Sequence, residues 1–156
     1  MGRHTDYWDE TVDIVIVGYG FAGAVASIEA HDLGANILLI DKNITPGGIS
    51  ICSAGGVRIA KDRDAALAYL KKTNAGTTPE EPLATLAEGM TRIARFIEDI
   101  AEAAGAKPVT NWMGGTYPFE GYDTFGFISI IEYPGVDIYE KYPHVRSLRG
   151  GTRLFA

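Results

Sequence analysis

The stretch DIVIVGYGFAGAVASIEAHDLGANILLIDKN, residues 13–43, restricts the possible folds more than any other part of the chain. Residues 12–17, VDIVIV, form a short β-branched run that stops at a glycine, which reads as a buried strand. From Phe21 to Asp32 the small and apolar residues Ala22, Ala24, Val25, Ile28 and Ala30 suit a helix packed closely on a sheet, with Gly34 as its stop. Residues 36–40, NILLI, predict a second buried strand ending at Asp41. A βαβ unit with a parallel strand pair and a right-handed crossover is the expected result.

Gly18, Gly20 and Gly23 carry the G-x-G-x-x-G spacing between the first strand and the helix. Each glycine has a physical task. Gly18 permits the tight turn, Gly20 lets backbone approach a pyrophosphate, and Gly23 lets the helix lie close on the strand. The helix N-terminus then offers unpaired N–H groups, including those of Phe21 and Ala22, and a positive dipole to phosphate. Asp41, at the end of the next strand and followed by Lys42, is placed to accept hydrogen bonds from an adenosine ribose. An acid there argues against a 2′-phosphate and hence against NADP. Spacing alone leaves NAD and FAD both open.

Composition closes off other classes. A chain of 156 residues, 46% hydrophobic and 22% charged, fits one soluble globular domain with a real core. Its formal net charge of -6 leaves no basic stripe for nucleic acid or an anionic membrane. The single cysteine, Cys52, excludes an internal disulfide and fits a reducing compartment. The polar start, MGRHTDYWDE, does not read as a secretory signal, and no apolar run reaches the ~18 residues of a membrane span. A cytoplasmic location is the expectation.

Beyond Asp41, residues 44–60 read as a glycine-rich loop region without a clean period. Residues 62–73 predict a helix with a basic end at Lys71 and Lys72. Thr78, Pro79, Glu80 and Glu81 read as an N-cap, a first-turn proline and first-turn acids of a second helix. That helix stops at Gly105, with a break expected near Gly89 and Met90. From Lys107 aromatic residues crowd together, with FGFISIIEY at 125–133 as the one expected strand and GGTRLFA as the first turn of a helix.

The second glycine cluster bears on the cofactor. PGGISICSAGGV, Pro46 to Val57, joins two Gly-Gly pairs with hydroxyls between them, so that backbone N–H groups, Ser50 and Ser53 can line an extended phosphate and ring system. A nicotinamide domain does not usually need such a loop here. With residues 13–57, in which G-Y-G-F-A-G-A is followed by P-G-G-x-S-x-x-S-x-G-G, the chain resembles the FAD-binding start of the fumarate reductase and 3-ketosteroid 1-dehydrogenase flavoproteins. The likeness spans residues 10–60 and extends more thinly to about 105.

The resemblance implies an α/β, Rossmann-like FAD-binding βαβ domain, incomplete without a further chain or segment. Residues 1–106 would be the FAD-binding portion, and 107–156 an aromatic-rich segment leading toward a substrate domain or partner interface. By the same resemblance, Gly18, Gly20, Phe21, Ala22 and Gly23 would meet the pyrophosphate, and Asp41 with Lys42 the adenosine ribose. Gly47, Gly48, Ile49, Ser50, Ser53, Ala54, Gly55 and Gly56 would lie along the pyrophosphate, ribityl chain and isoalloxazine. Members that bond flavin covalently carry a histidine in this loop. Here Ile49, Ser50, Ile51 and Cys52 stand there, so noncovalent FAD is expected, with Cys52 a small buried residue rather than a redox thiol.

The chemistry that the resemblance implies is hydride exchange between flavin N5 and a carbon next to an activating carbonyl, with a side chain moving the proton. Its steroid-oxidising members use tyrosines, one of them in an aromatic segment of the form G-x-x-D-Y-Y-P. The nearest counterpart here is PGVDIY, Pro134 to Tyr139, which makes Tyr139 the candidate acid/base, with Tyr133 behind it. His144 and Arg146 are read as a solvated loop, and no metal site is expected. Family members are several hundred residues long, so the chain is either a fragment or one subunit of a split or nicked flavoenzyme. In the favoured, latter reading a second polypeptide completing the FAD fold and substrate domain is the expected partner, and this chain alone would be inactive. The substrate would be a small carbonyl compound. Alternatives are a fumarate reductase-like enone reductase subunit, a plain NAD-binding domain, and a non-catalytic docking subunit that retains a dinucleotide fold.

Overall fold

The computed structural model of the chain describes residues 8–143 and 150–155. The chain divides into two compact units, Met1–Ser50 and Ile51–Ala156.

The first unit is the expected strand–helix–strand element: β1 (Ile14–Val17), α1 (Phe21–Asp32) and β2 (Ile37–Ile40). The strands pair in parallel, Ile14 opposite Ile37 through Val17 opposite Ile40. α1 has the predicted bounds, whereas each strand starts later than its apolar run. Asp13 and Asn36 are drawn instead into a clasp at the foot of the sheet. The Asp13 N–H donates to the Asn36 carbonyl at 2.9 Å, and the Asn36 N–H donates to Asp13 Oδ2 at 2.8 Å. Because side chains alternate along a strand, Ile14, Ile16, Ile37 and Leu39 share one face, and Val15, Val17, Leu38 and Ile40 the other. Ile16 lies beneath Gly23 of α1. On the opposite, wholly apolar face Val15 is 54% exposed and Val17 80%.

The second unit contains β3 (Val57–Ala60), α2 (Arg63–Asn74), α3 (Glu80–Ala104), β4 (Lys107–Asn111), β5 (Phe125–Glu132), and the short helices α4 (Ile138–Lys141) and α5 (Gly150–Phe155). β5 is central in an antiparallel sheet of order β3-β5-β4. α2 is capped by Asp62, whose carboxylate accepts from the Ala65 N–H at 2.7 Å, and ends with Lys71 and Lys72 in its last turn. α3 runs unbroken for 25 residues, against the break expected at Gly89. Its apolar stripe, with Leu83, Ala87, Ile97 and Ala101 buried, outweighs the roughly 1 kcal/mol that one interior glycine costs. Pro79, not Thr78, takes the cap position of α3, and no side chain caps it.

Two strands escaped the sequence reading. β3 is four residues set directly after Gly55 and Gly56, and β4 has a proline in it. Both are recruited by β5, whose eight residues supply the pairing partners.

One core cluster joins the sheet to α3: Ile59, Ile128, Ile130, Ile97 and Ala101. A second joins Ala60, Ala66, Tyr69, Ala87 and Phe125. The aromatic segment is only partly built in: Phe125 is buried, whereas Trp112, Tyr117, Phe119 and Tyr122 are exposed. The Tyr69 ring lies 4.8 Å from that of Phe125, and its hydroxyl accepts from the Tyr117 N–H at 3.0 Å. Trp112 covers Gly126, with the Lys61 ammonium 4.8 Å from its ring centroid. No helix of the described residues is long and apolar enough to cross a membrane.

Candidate functional site

The two glycine-rich segments of the first unit meet at the N-terminus of α1. Gly18 follows β1 with φ +103, a conformation that L side chains rarely adopt, and its N–H donates to the Ile40 carbonyl at 2.7 Å. Gly23, in the first turn of α1, lies so close to the Gly18 carbonyl that any Cβ would collide with that oxygen. These are the turn and helix-packing tasks expected of the first and third glycines.

The second glycine does more than was expected of it. A Cβ on Gly20 would meet Ser50 Oγ at 3.2 Å and the Gly47 carbonyl at 3.9 Å. The space above Gly20 is therefore shared with the second glycine segment. Ser50 Oγ accepts from the Phe21 N–H at 3.1 Å, and the Gly47 N–H donates to the Tyr19 carbonyl at 2.6 Å. Thus Ser50 caps α1 from 29 residues away. Gly20, the cap residue in sequence, has no side chain to do it, and no acid sits in the first turn. First-turn N–H groups have no intrahelical acceptor, so those of Ala22 and Gly23 remain to meet an anion.

Asp41 closes the site from the other side. Its Oδ2 accepts from the Tyr19 N–H at 2.6 Å and its Oδ1 from the Asn43 N–H at 2.7 Å. These two backbone donors, Tyr19 first, together with the charge of Lys42, hold the carboxyl below its ordinary 3.8. The Asp41–Asn43 turn was open to prediction, since an Asp bonding the backbone two residues on is a common turn device. The Ser50 cap left no sequence signal, because nothing local ties residue 50 to residue 21.

Of the other predicted positions in the first unit, Gly47 is buried, and Lys42, Gly48 and Ile49 are exposed. Ser53, Ala54, Gly55 and Gly56 belong to the second unit. There Ser53 Oγ accepts from the Gly55 N–H at 3.2 Å, and the Ser53 carbonyl accepts from Gly151. Cys52 is exposed, not buried as expected. It ends a 3-10 turn over Gly48–Cys52 whose inward position is taken by Ile51, 3% exposed. Tyr139 falls on α4, with its side chain outside what the structure describes, and Tyr133 is half-buried. His144 and Arg146 lie outside the described residues.

The donor set fits a dinucleotide: a helix N-terminus without an acid or a cap of its own, a glycine turn against it, and a carboxylate on the neighbouring strand end. Comparison with known proteins agrees. The chain is 36% identical over 88 residues to a 3-oxo-5-alpha-steroid 4-dehydrogenase of Comamonas testosteroni, covering 49% of this chain and 16% of that protein. It is 43% identical over 54 residues to an NADH:fumarate oxidoreductase of Klebsiella pneumoniae, covering 35% of this chain and 6% of that protein. The fold matches a crystal structure of a 3-ketosteroid-delta4-(5alpha)-dehydrogenase from Rhodococcus jostii RHA1, with TM-score 0.71 at 17% identity, over 97% of this chain and 36% of that one. The chain thus spans a minor part of each relative. The FAD binding domain family matches residues 13–114, a stretch that includes both glycine clusters and Asp41, and the chain belongs to that family of flavoproteins, with FAD as its cofactor.

Proposed function

We propose that this chain is the FAD-binding part of an oxidoreductase that acts on carbon–carbon bonds next to a carbonyl, by 3-ketosteroid dehydrogenase-like desaturation. The observation that carries the reading is the assembled first-unit cradle, Gly18–Gly23 latched to Gly47–Ser50 and Asp41, in a chain of the FAD-binding family. The flavin, when bound, supplies a hydride acceptor. The protein's part is to hold it. The amides of Ala22 and Gly23 meet the pyrophosphate, and Asp41, flanked by Lys42, meets the adenosine ribose. Gly47, Gly48, Ile49, Ser50, Ser53, Ala54, Gly55 and Gly56 line the remainder, without a covalent bond. Tyr139 is the candidate proton carrier.

Residues 1–106 then form the cofactor portion, and 107–156 lead toward a substrate domain. A further chain or segment supplies that domain, and this chain is inactive without it. Two observations support this: the chain spans 16% of its steroid-oxidising relative, and the Val15, Val17, Leu38 and Ile40 face of a parallel sheet is open where such sheets are covered on both sides. A fumarate reductase-like reading stands second, favoured by the higher identity of the match to the fumarate-reducing relative.

Visible absorption of the purified chain with its copurifying polypeptides tests the assignment. Flavin bands that vanish in Gly20→Val are expected, and a colourless complex overturns it. Steroid ketone oxidation with a dye acceptor, against fumarate reduction with a reduced dye, separates the two readings. Activity that survives Gly20→Val would instead mark a docking subunit.

A further inference from the structure

We infer that Asp41 is a positioning residue for the first glycine turn, setting its shape before any nucleotide arrives. Tyr19 stands between Gly18 and Gly20, in the segment of the cradle with the greatest intrinsic backbone freedom. Both of its backbone groups are nevertheless held: the N–H by Asp41 Oδ2 at 2.6 Å, and the carbonyl by the Gly47 N–H at 2.6 Å. The Gly18 N–H is tied to the Ile40 carbonyl, one residue before Asp41. The end of β2 therefore grips the turn twice in succession, once through backbone and once through a side chain.

Asp41 is itself aimed by its second bond, from the Asn43 N–H at 2.7 Å, so its rotamer does not depend on a ligand. A carboxylate suits this place for a simple reason. It must accept from two N–H groups at once, one on each oxygen, and a carboxamide can accept from only one of them. A ribose contact by the same group would use lone pairs that these bonds leave over. The inference rests on the dinucleotide reading for its consequence but not for its geometry.

Amide exchange of the ligand-free 156-residue chain decides the matter. After correction for intrinsic rates, the Tyr19 N–H is expected to exchange at least about tenfold more slowly than that of Ala22, the protection of one charge-assisted bond, and Asp41→Asn should abolish most of the difference. Inorganic pyrophosphate, which has no ribose, supplies the second arm. Asp41→Asn should weaken it by about tenfold if the turn is misplaced, whereas a pure ribose ligand would leave it unchanged and weaken only FAD. Asp41→Glu, which keeps both acceptors, should restore part of the pyrophosphate affinity.

Equal exchange of Tyr19 and Ala22 in the wild-type chain overturns the inference, and so does protection that survives Asp41→Asn. Unchanged pyrophosphate binding in Asp41→Asn overturns it as well. If the variant does not fold, the wild-type comparison still decides. A chain that protects Tyr19 but binds neither pyrophosphate nor FAD would refute the flavin reading and leave the positioning role standing.

Discussion

Substituting Gly23 by alanine adds one methyl group in the tightest place of the first unit. The new Cβ would lie 3.1 Å from the Gly18 carbonyl carbon and closer still to its oxygen, inside the 3.0 Å that real Cβ atoms essentially never breach, and 3.5 Å from Ile16 Cγ2. The obstruction is backbone, not the free end of a flexible side chain. It is also backbone already held in place, since Gly18 is tied to Ile40 through its own N–H. Relief requires α1 to lift from β1 or the glycine turn to open. Overpacking a site that can relax costs about 1–3 kcal/mol, so a site that cannot should cost about 3 kcal/mol or more. Domain stabilities are only about 5–15 kcal/mol, so this removes a substantial share of the total and raises the unfolded population of the first unit about 100-fold or more. Amide exchange resolves the effect by region: amides of β1, α1 and β2 should lose protection while those of β5 and α3 keep theirs. A Gly23→Ala chain with native exchange throughout Phe21–Asp32 would refute the idea that this glycine exists for close packing.

Other substitutions have opposite or smaller effects. At Gly89, inside α3, an added Cβ meets nothing within 4 Å, so Gly89→Ala should raise the stability of the second unit by about 1 kcal/mol in urea unfolding. Asp62→Ala removes the α2 cap and should lower it by about 1 kcal/mol in the same assay. Asp41 has its carboxyl held below 3.8 in the folded chain, so its contribution to stability is present in full above that value and is lost as pH falls through the lower folded value. Acid unfolding of Asp41→Asn should lack that component, and identical acid profiles would contradict the assigned bonds.

The sequence made the first unit readable because its signals are local and mutually consistent: a β-branched run, three spaced glycines, a small-residue helix and a terminal acid all fall within about thirty residues, the span of one βαβ unit. α1 has the bounds its pattern predicted, and β5 was visible as FGFISIIEY. What escaped depended on partners distant in the chain. β3 carries four residues of signal and exists because Val57–Ala60 finds Phe125–Ile128. β4 carries Pro108, which argues against a strand, yet edge strands tolerate proline and β4 lies at the edge. The expected break at Gly89 gave too much weight to one residue against a stripe of apolar positions on both sides of it. In the site, glycine tasks could be read from spacing, whereas the Ser50 cap and the exposure of Cys52 depend on how the second segment folds back, which no local pattern encodes.

The two tryptophans report on different parts of the chain. Trp8 is 78% exposed, so its emission should hardly change when its surroundings unfold. Trp112 is 44% exposed, covers the backbone at Gly126, and has the Lys61 ammonium over its ring. Its fluorescence is therefore tuned by a charge and by a strand that separate only when the antiparallel sheet comes apart. The molecule thus carries a built-in optical gauge for one half of itself, and replacing Trp8 with phenylalanine would leave that gauge free of background.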